Sequence, residues 1–306
     1  MEHASLWTCL VLAGCLCLGS GDVSDGTSNS GASPTEAVVQ PEHSGLGPID
    51  PESLKPLFLT PMIKKCEYEL AKKKSKLDIL EAVANVRAYS GYITVHNNAN
   101  NLFFVFVEAK ENPSTAPLLL WTPGGPGLPS VLSLLLQNGP VMFDATGNLT
   151  KRELTLQTSM SIIYLDAPVG AGFSFTENYT TYSKSLEEVT VDIKEFLDQF
   201  LQLFSEYKKR PFYAAGDSYG ARYSVALGHD MLSHRDKVDL KFEGVIGGVG
   251  FYAPVYYSAD SCDFLLQASM VNGEGCTKFK GYLEAMKMFA QKGDIANATY
   301  LLFATI

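Results

Sequence analysis

Histidine is scarce in this chain. Only His3, His43, His96, His229 and His234 occur in 306 residues, and with the six cysteines they form no spacing that resembles a zinc site. Basic charge is also in deficit. Lys and Arg number 24 against 33 Asp and Glu, a net charge of −9 with a pI near 5.1. That balance gives no electrostatic case for nucleic-acid binding. The one basic cluster, Lys72-Lys73-Lys74-Ser75-Lys76, reads as a solvated helix face. The apolar run from Leu6 to Leu18 is too short to span a bilayer, and no internal repeat is present. What remains is a chain that is 46% hydrophobic and 19% charged, enough for one large core or two modest ones.

The run Leu6 to Leu18 stands where the apolar region of a secretory leader belongs, and Gly19, Ser20 and Gly21 suit cleavage. A signal peptide is therefore expected over 1–21, with no membrane contact after its removal. Cys9, Cys15 and Cys17 would leave with it, so that Cys66, Cys262 and Cys276 enter an oxidising compartment. Cys262 and Cys276 close a short loop and are expected to bridge, worth about 3 kcal/mol in the loop-entropy account. Three sequons, at Asn148, Asn178 and Asn297, fit a secreted or lysosomal route and are candidate glycosylation sites.

Residues 22–55 are rich in Ser, Gly, Pro and acidic side chains, and read as a flexible lead-in. Tyr89 to Val95 and Leu102 to Glu108 are rich in aromatic and β-branched residues, with the asparagine-rich His96 to Asn101 as their hairpin loop. Pro117 to Trp121, Ser161 to Leu165 and Phe242 to Val249 read as further strands, and Ser130 to Leu136 as a short buried helix. The clearest helix follows the capping-box sequence Ser185 to Glu188. Ile193, Phe196, Leu197, Phe200, Leu201 and Phe204 line one face of it. Lys208, Lys209 and Arg210 stand where cations suit its C-terminal dipole. Strands thus alternate with helices, as in a mainly parallel sheet covered by helices. From Tyr252 onward the pattern changes, and Phe279, Tyr282, Leu283, Met286 and Phe289 suggest a helix outside that order.

The chemistry concentrates at Gly216-Asp217-Ser218-Tyr219-Gly220. This Gly-x-Ser-x-Gly stretch follows the apolar run Pro211 to Ala215 and precedes a helix from Ala221 to Leu232. A sharp strand-to-helix turn needs small residues on both sides of a strained serine, whose oxygen then stands near a helix N-terminus. A serine nucleophile also needs donors for an oxyanion. The backbone N–H of Tyr219 is one candidate. Gly124-Gly125-Pro126-Gly127, which breaks off the strand before it, is placed to supply the other.

Three ordered blocks, Trp121 to Gly127, Leu165 to Phe175 and Gly216 to Gly220, resemble signature blocks of the serine carboxypeptidases. Pro56 to Pro61 and Gly91 to Val95 resemble the vitellogenic-like subgroup. The resemblance covers roughly Leu57 to Val249. It implies an α/β-hydrolase fold, with a mainly parallel central sheet flanked by helices over 56–251. A helical cap insertion would begin at 252–306, and the C-terminal part would be missing. It further implies a peptide substrate, no cofactor and no metal, with Ser218 as catalytic nucleophile and Gly125 and Tyr219 as oxyanion-hole donors. Gly124 and Asp217 would contact the substrate's terminal carboxylate. Where the family carries an asparagine and a glutamate for that carboxylate, this chain has Pro123 and Asp217. Proline supplies no donor. The family's small residues after the glycine-rich loop are here Leu128-Pro129-Ser130.

In this fold the chain order is Ser, then Asp, then His. His229 and His234 follow Ser218 by 11 and 16 residues, which along one helix is on the order of 16 to 24 Å, far beyond hydrogen-bond reach. Asp260 and Asp263 fall in the expected cap. The expectation is therefore a serine-type carboxypeptidase represented by a chain that lacks the triad Asp and His and is inactive alone. A non-catalytic, peptide- or protein-binding relative and a carboxypeptidase-like acyltransferase are the alternatives.

Overall fold

The structure, a computed structural model, describes residues 55–233, 238–252 and 254–305. The expected leader, nearly all of the lead-in, and His3, His43 and His234 lie outside the described residues. Nine strands are formed among them: β1 Ala88–Val95, β2 Asn100–Val107, β3 Leu118–Thr122, β4 Val141–Phe143, β5 Leu149–Lys151, β6 Ser161–Leu165, β7 Phe175–Thr176, β8 Pro211–Asp217 and β9 Lys241–Gly248. The helices are α1 Thr60–Lys64, α2 Tyr68–Ser75, α3 Asp78–Ala84, α4 Ser130–Ser133, α5 Leu186–Leu203, α6 Gly220–Ser233, α7 Val255–Ser258, α8 Cys262–Gln267, α9 Gly273–Gln291 and α10 Ile295–Thr305. None is long and apolar enough to cross a membrane.

The main sheet has the order β1-β2-β6-β3-β8-β9, with β7 beside β2. β1, β2 and β6 pair antiparallel, whereas β6, β3, β8 and β9 are parallel neighbours. This is the mainly parallel α/β-hydrolase sheet, flanked by helices. Each central strand feeds two cores because successive side chains point to opposite faces. Leu118, Leu120, Ile163 and Leu165 join α5 and α6 on one face. Leu119, Ile162 and Tyr164 join α3, Leu134 and Val141 on the other. Double coverage explains why these strands read as unbroken apolar runs.

α5 starts where its cap demands. The Glu188 N–H donates to Ser185 Oγ at 3.2 Å, while the Glu188 carboxylate accepts from the Lys184 N–H, one residue before the N-cap. Its phenylalanines pack edge-on against the sheet. The rings of Phe104 and Phe196 lie 5.3 Å apart, and those of Phe106 and Phe200 5.0 Å, geometry that adds to the roughly 1.5–3 kcal/mol gained by burying each ring. The Lys208–Arg210 expectation is corrected. α5 ends at Leu203, and Arg210 is instead buried, donating to the carbonyls of Pro113 and Ala116 and stacking on the Tyr207 ring. Hydrogen bonding to loop carbonyls and burial of its stem hold it there, not the helix dipole.

Beyond β9, α9 and α10 form a separate small cluster around Leu283, Met286 and Ala298. Cys262 and Cys276 form a disulfide joining α8 to α9, with Cα atoms 5.5 Å apart. Cys66 is exposed and free. The Lys72–Lys76 cluster, read as a solvated helix face, falls mostly in α2, whereas neither the β4–β5 hairpin nor α1 and α3 was expected from the sequence.

Candidate active site

β8 ends at Asp217 and α6 begins at Gly220, leaving Ser218 and Tyr219 to turn the chain. Ser218 has φ of +51°, in the left-handed region that side chains avoid. Three backbone hydrogen bonds hold it there. Its N–H donates to Gly248 O at 2.9 Å, and its carbonyl accepts from the N–H groups of Phe251 at 3.0 Å and Ala221 at 3.3 Å. The flanking glycines are required by contact. A Cβ on Gly216 would lie 2.5 Å from the Thr122 carbonyl oxygen, and one on Gly220 would lie 2.0 Å from it. β3 therefore presses directly on the turn, and only glycine fits.

The same closeness brings the glycine-rich loop to the serine. A Cβ on Gly124 would meet Ser218 Cβ at 2.8 Å and Oγ at 3.3 Å. Gly125, with φ of +113°, is solvent-exposed beside it. Among the described residues no hydrogen bond uses the N–H of Gly125 or of Tyr219. Leu128 N–H closes the loop onto the Gly124 carbonyl at 3.2 Å. The spacing that suggested proximity of the two motifs thus corresponds to van der Waals contact between them.

Asp217 is half-buried and held from an unexpected side. Gln137 Nε2, in the π-helical turn after α4, donates to Asp217 Oδ2 at 2.8 Å. Asp217 Oδ1 is buried and has no hydrogen-bond partner among the described residues. A glutamine closing the apolar run Leu134-Leu135-Leu136 was the available signal for this contact. Pro123 is buried and lies against Gly220, where its carbonyl oxygen would stand 2.7 Å from a Cβ.

Arg222, in the first turn of α6, lies over the rings of Tyr219 and Phe251 and donates to the Phe251 carbonyl. It fastens the exit of β9 to the turn. Burial raises the Tyr223 phenol well above its ordinary value, so this near neighbour stays protonated. No histidine reaches Ser218 by hydrogen bond among the described residues. His96, at the β1–β2 turn, has Nδ1 3.2 Å from Asp192 Oδ1, and His229 lies toward the far end of α6. Asp260 and Asp263 stand around α8, where Asp263 pairs with Lys280. No cluster of His, Cys, Asp or Glu suited to a metal occurs among the described residues. The candidate glycosylation sites are all exposed: Asn148 at the β4–β5 turn, Asn178 before a 3₁₀ turn and Asn297 in α10.

Comparison with known proteins fits this arrangement. The serine carboxypeptidase family model matches residues 79–300. A venom serine carboxypeptidase of Apis mellifera is 36% identical over 235 residues, 76% of this chain and 50% of its own length. A vitellogenic carboxypeptidase of Aedes aegypti is 33% identical, over 82% of this chain and 53% of its own. The chain thus spans about half the length of the curated relatives it matches. Among solved structures, a prohormone-processing carboxypeptidase from Saccharomyces cerevisiae superposes with a TM-score of 0.64 at 21% identity. It covers 76% of this chain and 57% of that one, and establishes the fold.

Proposed function

The chain belongs to the serine carboxypeptidase family, and from that premise we propose that it carries the nucleophile half of a serine-type peptidase site. The reading is supported above all by the left-handed Ser218, held between β8 and α6 with Gly124 against its side chain. In this reading Ser218 Oγ attacks the carbonyl of a peptide's penultimate residue. The N–H groups of Gly125 and Tyr219 receive the oxyanion, the C-terminal residue departs, and water hydrolyses the acyl ester. Gly124 and Asp217 contact the substrate's terminal carboxylate, with Gln137 fixing Asp217. Residues 56–251 form the hydrolase core and 252–306 the start of a cap. A signal peptide at 1–21 and glycans at Asn148, Asn178 and Asn297 accompany a secreted or lysosomal location.

The general base is not supplied by His96 or His229. The 306-residue chain on its own is accordingly inactive toward peptides. A second reading, a peptide-binding relative without turnover, is favoured by Pro123 and Asp217, which stand where the family carries an asparagine and a glutamate. Supplied imidazole separates the two. An N-blocked depsipeptide with a free terminal carboxylate should be cleaved by this chain only when imidazole is added, and not by Ser218→Ala. Saturable binding of that depsipeptide with no imidazole-dependent cleavage would favour the second reading. Cleavage without imidazole would overturn the missing base.

A further inference from the structure

Asp166 is fully buried at the end of β6 and enters none of the chemistry above. Its two carboxylate oxygens are divided between two loops. Oδ1 accepts the N–H of Ser130, the first residue of α4 and three positions past the glycine-rich loop, at 2.5 Å. Oδ2 accepts the N–H of Phe173 at 2.7 Å. Gly172 makes room for this arrangement, since a Cβ there would stand 2.1 Å from Oδ2. Its own N–H donates to the Gly127 carbonyl at 3.3 Å, a second link between the same loops. The Asp166 backbone is fixed in turn: its N–H donates to Phe103 O at 3.0 Å, and its carbonyl accepts from Ser174 Oγ at 2.6 Å. No ion pair reaches the carboxylate among the described residues. A fully buried carboxyl without a cation is costly unless its hydrogen bonds compensate.

We propose that Asp166 is a positioning residue that sets where the Gly124–Gly127 loop stands over Ser218, by tying Ser130 to Phe173. The inference rests on the reading of that loop as the oxyanion loop. One carboxylate holds both segments at once, so neither loop can shift without breaking a charge-assisted hydrogen bond in a dry environment. Burial raises the carboxyl above its ordinary value, opposed by the donors at Ser130 and Phe173. The titratable group that feels it is the Tyr92 phenol of β1, itself raised by burial and by the Asp166 charge. Because burial makes the closed arrangement hold the proton more tightly than an open, hydrated one, protection of both loops is highest with Asp166 protonated and falls in both together as pH rises through its raised value.

Hydrogen exchange on the 306-residue chain tests this with Asp166→Ala and Asp166→Asn. In Asp166→Ala, segments 124–133 and 167–175 should both exchange about tenfold faster, with β3 and β8 unchanged, as for a local opening. Asp166→Asn keeps one acceptor and should be intermediate. After correction for intrinsic exchange, protection of Ser130 and Phe173 should vary with pH in the natural chain and not in Asp166→Asn. If Asp166→Ala does not fold, the Asn variant and the pH series decide alone. Unchanged protection of either loop, equal loosening of β3 and β8, or an unaltered pH response in Asp166→Asn would overturn the proposal. Repeating the series in Ser218→Ala separates it from the chemistry. Loop coupling should persist there, whereas loss of coupling in the natural chain beside its intact imidazole-dependent cleavage would sink this inference alone.

Discussion

β8 and β9 lie side by side in parallel register, from Pro211 opposite Lys241 to Asp217 opposite Gly248. Both are short and mainly apolar, yet they occupy different surroundings. β8 lies between β3 and β9, and its Phe212, Ala214 and Ala215 are almost wholly buried. Among the described residues β9 is last in the sheet, and its Val245 and Ile246 are 38% and 43% exposed. The strained turn is carried by the enclosed strand. A residue at φ of +51° persists only where its surroundings over-determine it. Contact with Thr122 on one side and the Gly248 carbonyl on the other supplies that constraint. β9 contributes one backbone acceptor to Ser218, the Gly248 carbonyl at its end, and the segment just beyond it one donor, the Phe251 N–H.

Substitutions can break or sharpen this contrast. Phe212→Ala should cost about 4 kcal/mol, as for a fully enclosed aromatic, measured by chemical denaturation. Gly220→Ala should cost about 3 kcal/mol, because the new Cβ meets the Thr122 carbonyl and β3 cannot move away. Replacing Cys262 and Cys276 together by serine should cost about 2–3 kcal/mol, confined to the helices beyond β9. Ile246→Ala should cost only about 0.5–1 kcal/mol, since much of its side chain already meets solvent. If Ile246→Ala matched Phe212→Ala, the distinction between the two strands would fail.

A pH effect of smaller size should come from Asp166. Its carboxyl is raised in the folded chain by burial, so the native state holds the proton more tightly than the unfolded one. This contribution is fully present below the ordinary carboxylate value of 3.8 and is lost as pH rises through the raised native value. Asp144 behaves oppositely: hydrogen bonds from Thr146 and Asn148 hold it low, and its contribution is lost as pH falls. Denaturation series at several pH values should show the Asp166 slope in the natural chain and its absence in Asp166→Asn.

Much of the fold was legible because double coverage writes itself as unbroken apolar runs. Ser161 to Leu165 matches β6 residue for residue, and β3, β8 and β9 differ from expectation by a residue or two at their ends. The β4–β5 hairpin was not legible: two strands of three residues, half open to solvent, carry too little alternation to register. Arg210 was misread because a basic residue after a helix suggests the dipole, whereas its partners Pro113 and Ala116 are nearly a hundred residues away in sequence. At the site, the turn and the glycine-rich loop are local motifs and could be read directly. The Gln137–Asp217 contact and the two-loop grip of Asp166 join segments separated by 80 and 36 residues. Neither polar residue announces its partner in the sequence.

The proposed role of Ser218 is that of a nucleophile to which no histidine is hydrogen-bonded among the described residues. The direct measurement is the mass of the intact chain after treatment with an activated acyl ester, with and without imidazole. The predicted result is a single acyl adduct on Ser218 that forms with imidazole and is lost in Ser218→Ala. An adduct pattern indifferent to Ser218, or Ser218 acylated equally well without imidazole, would contradict the account.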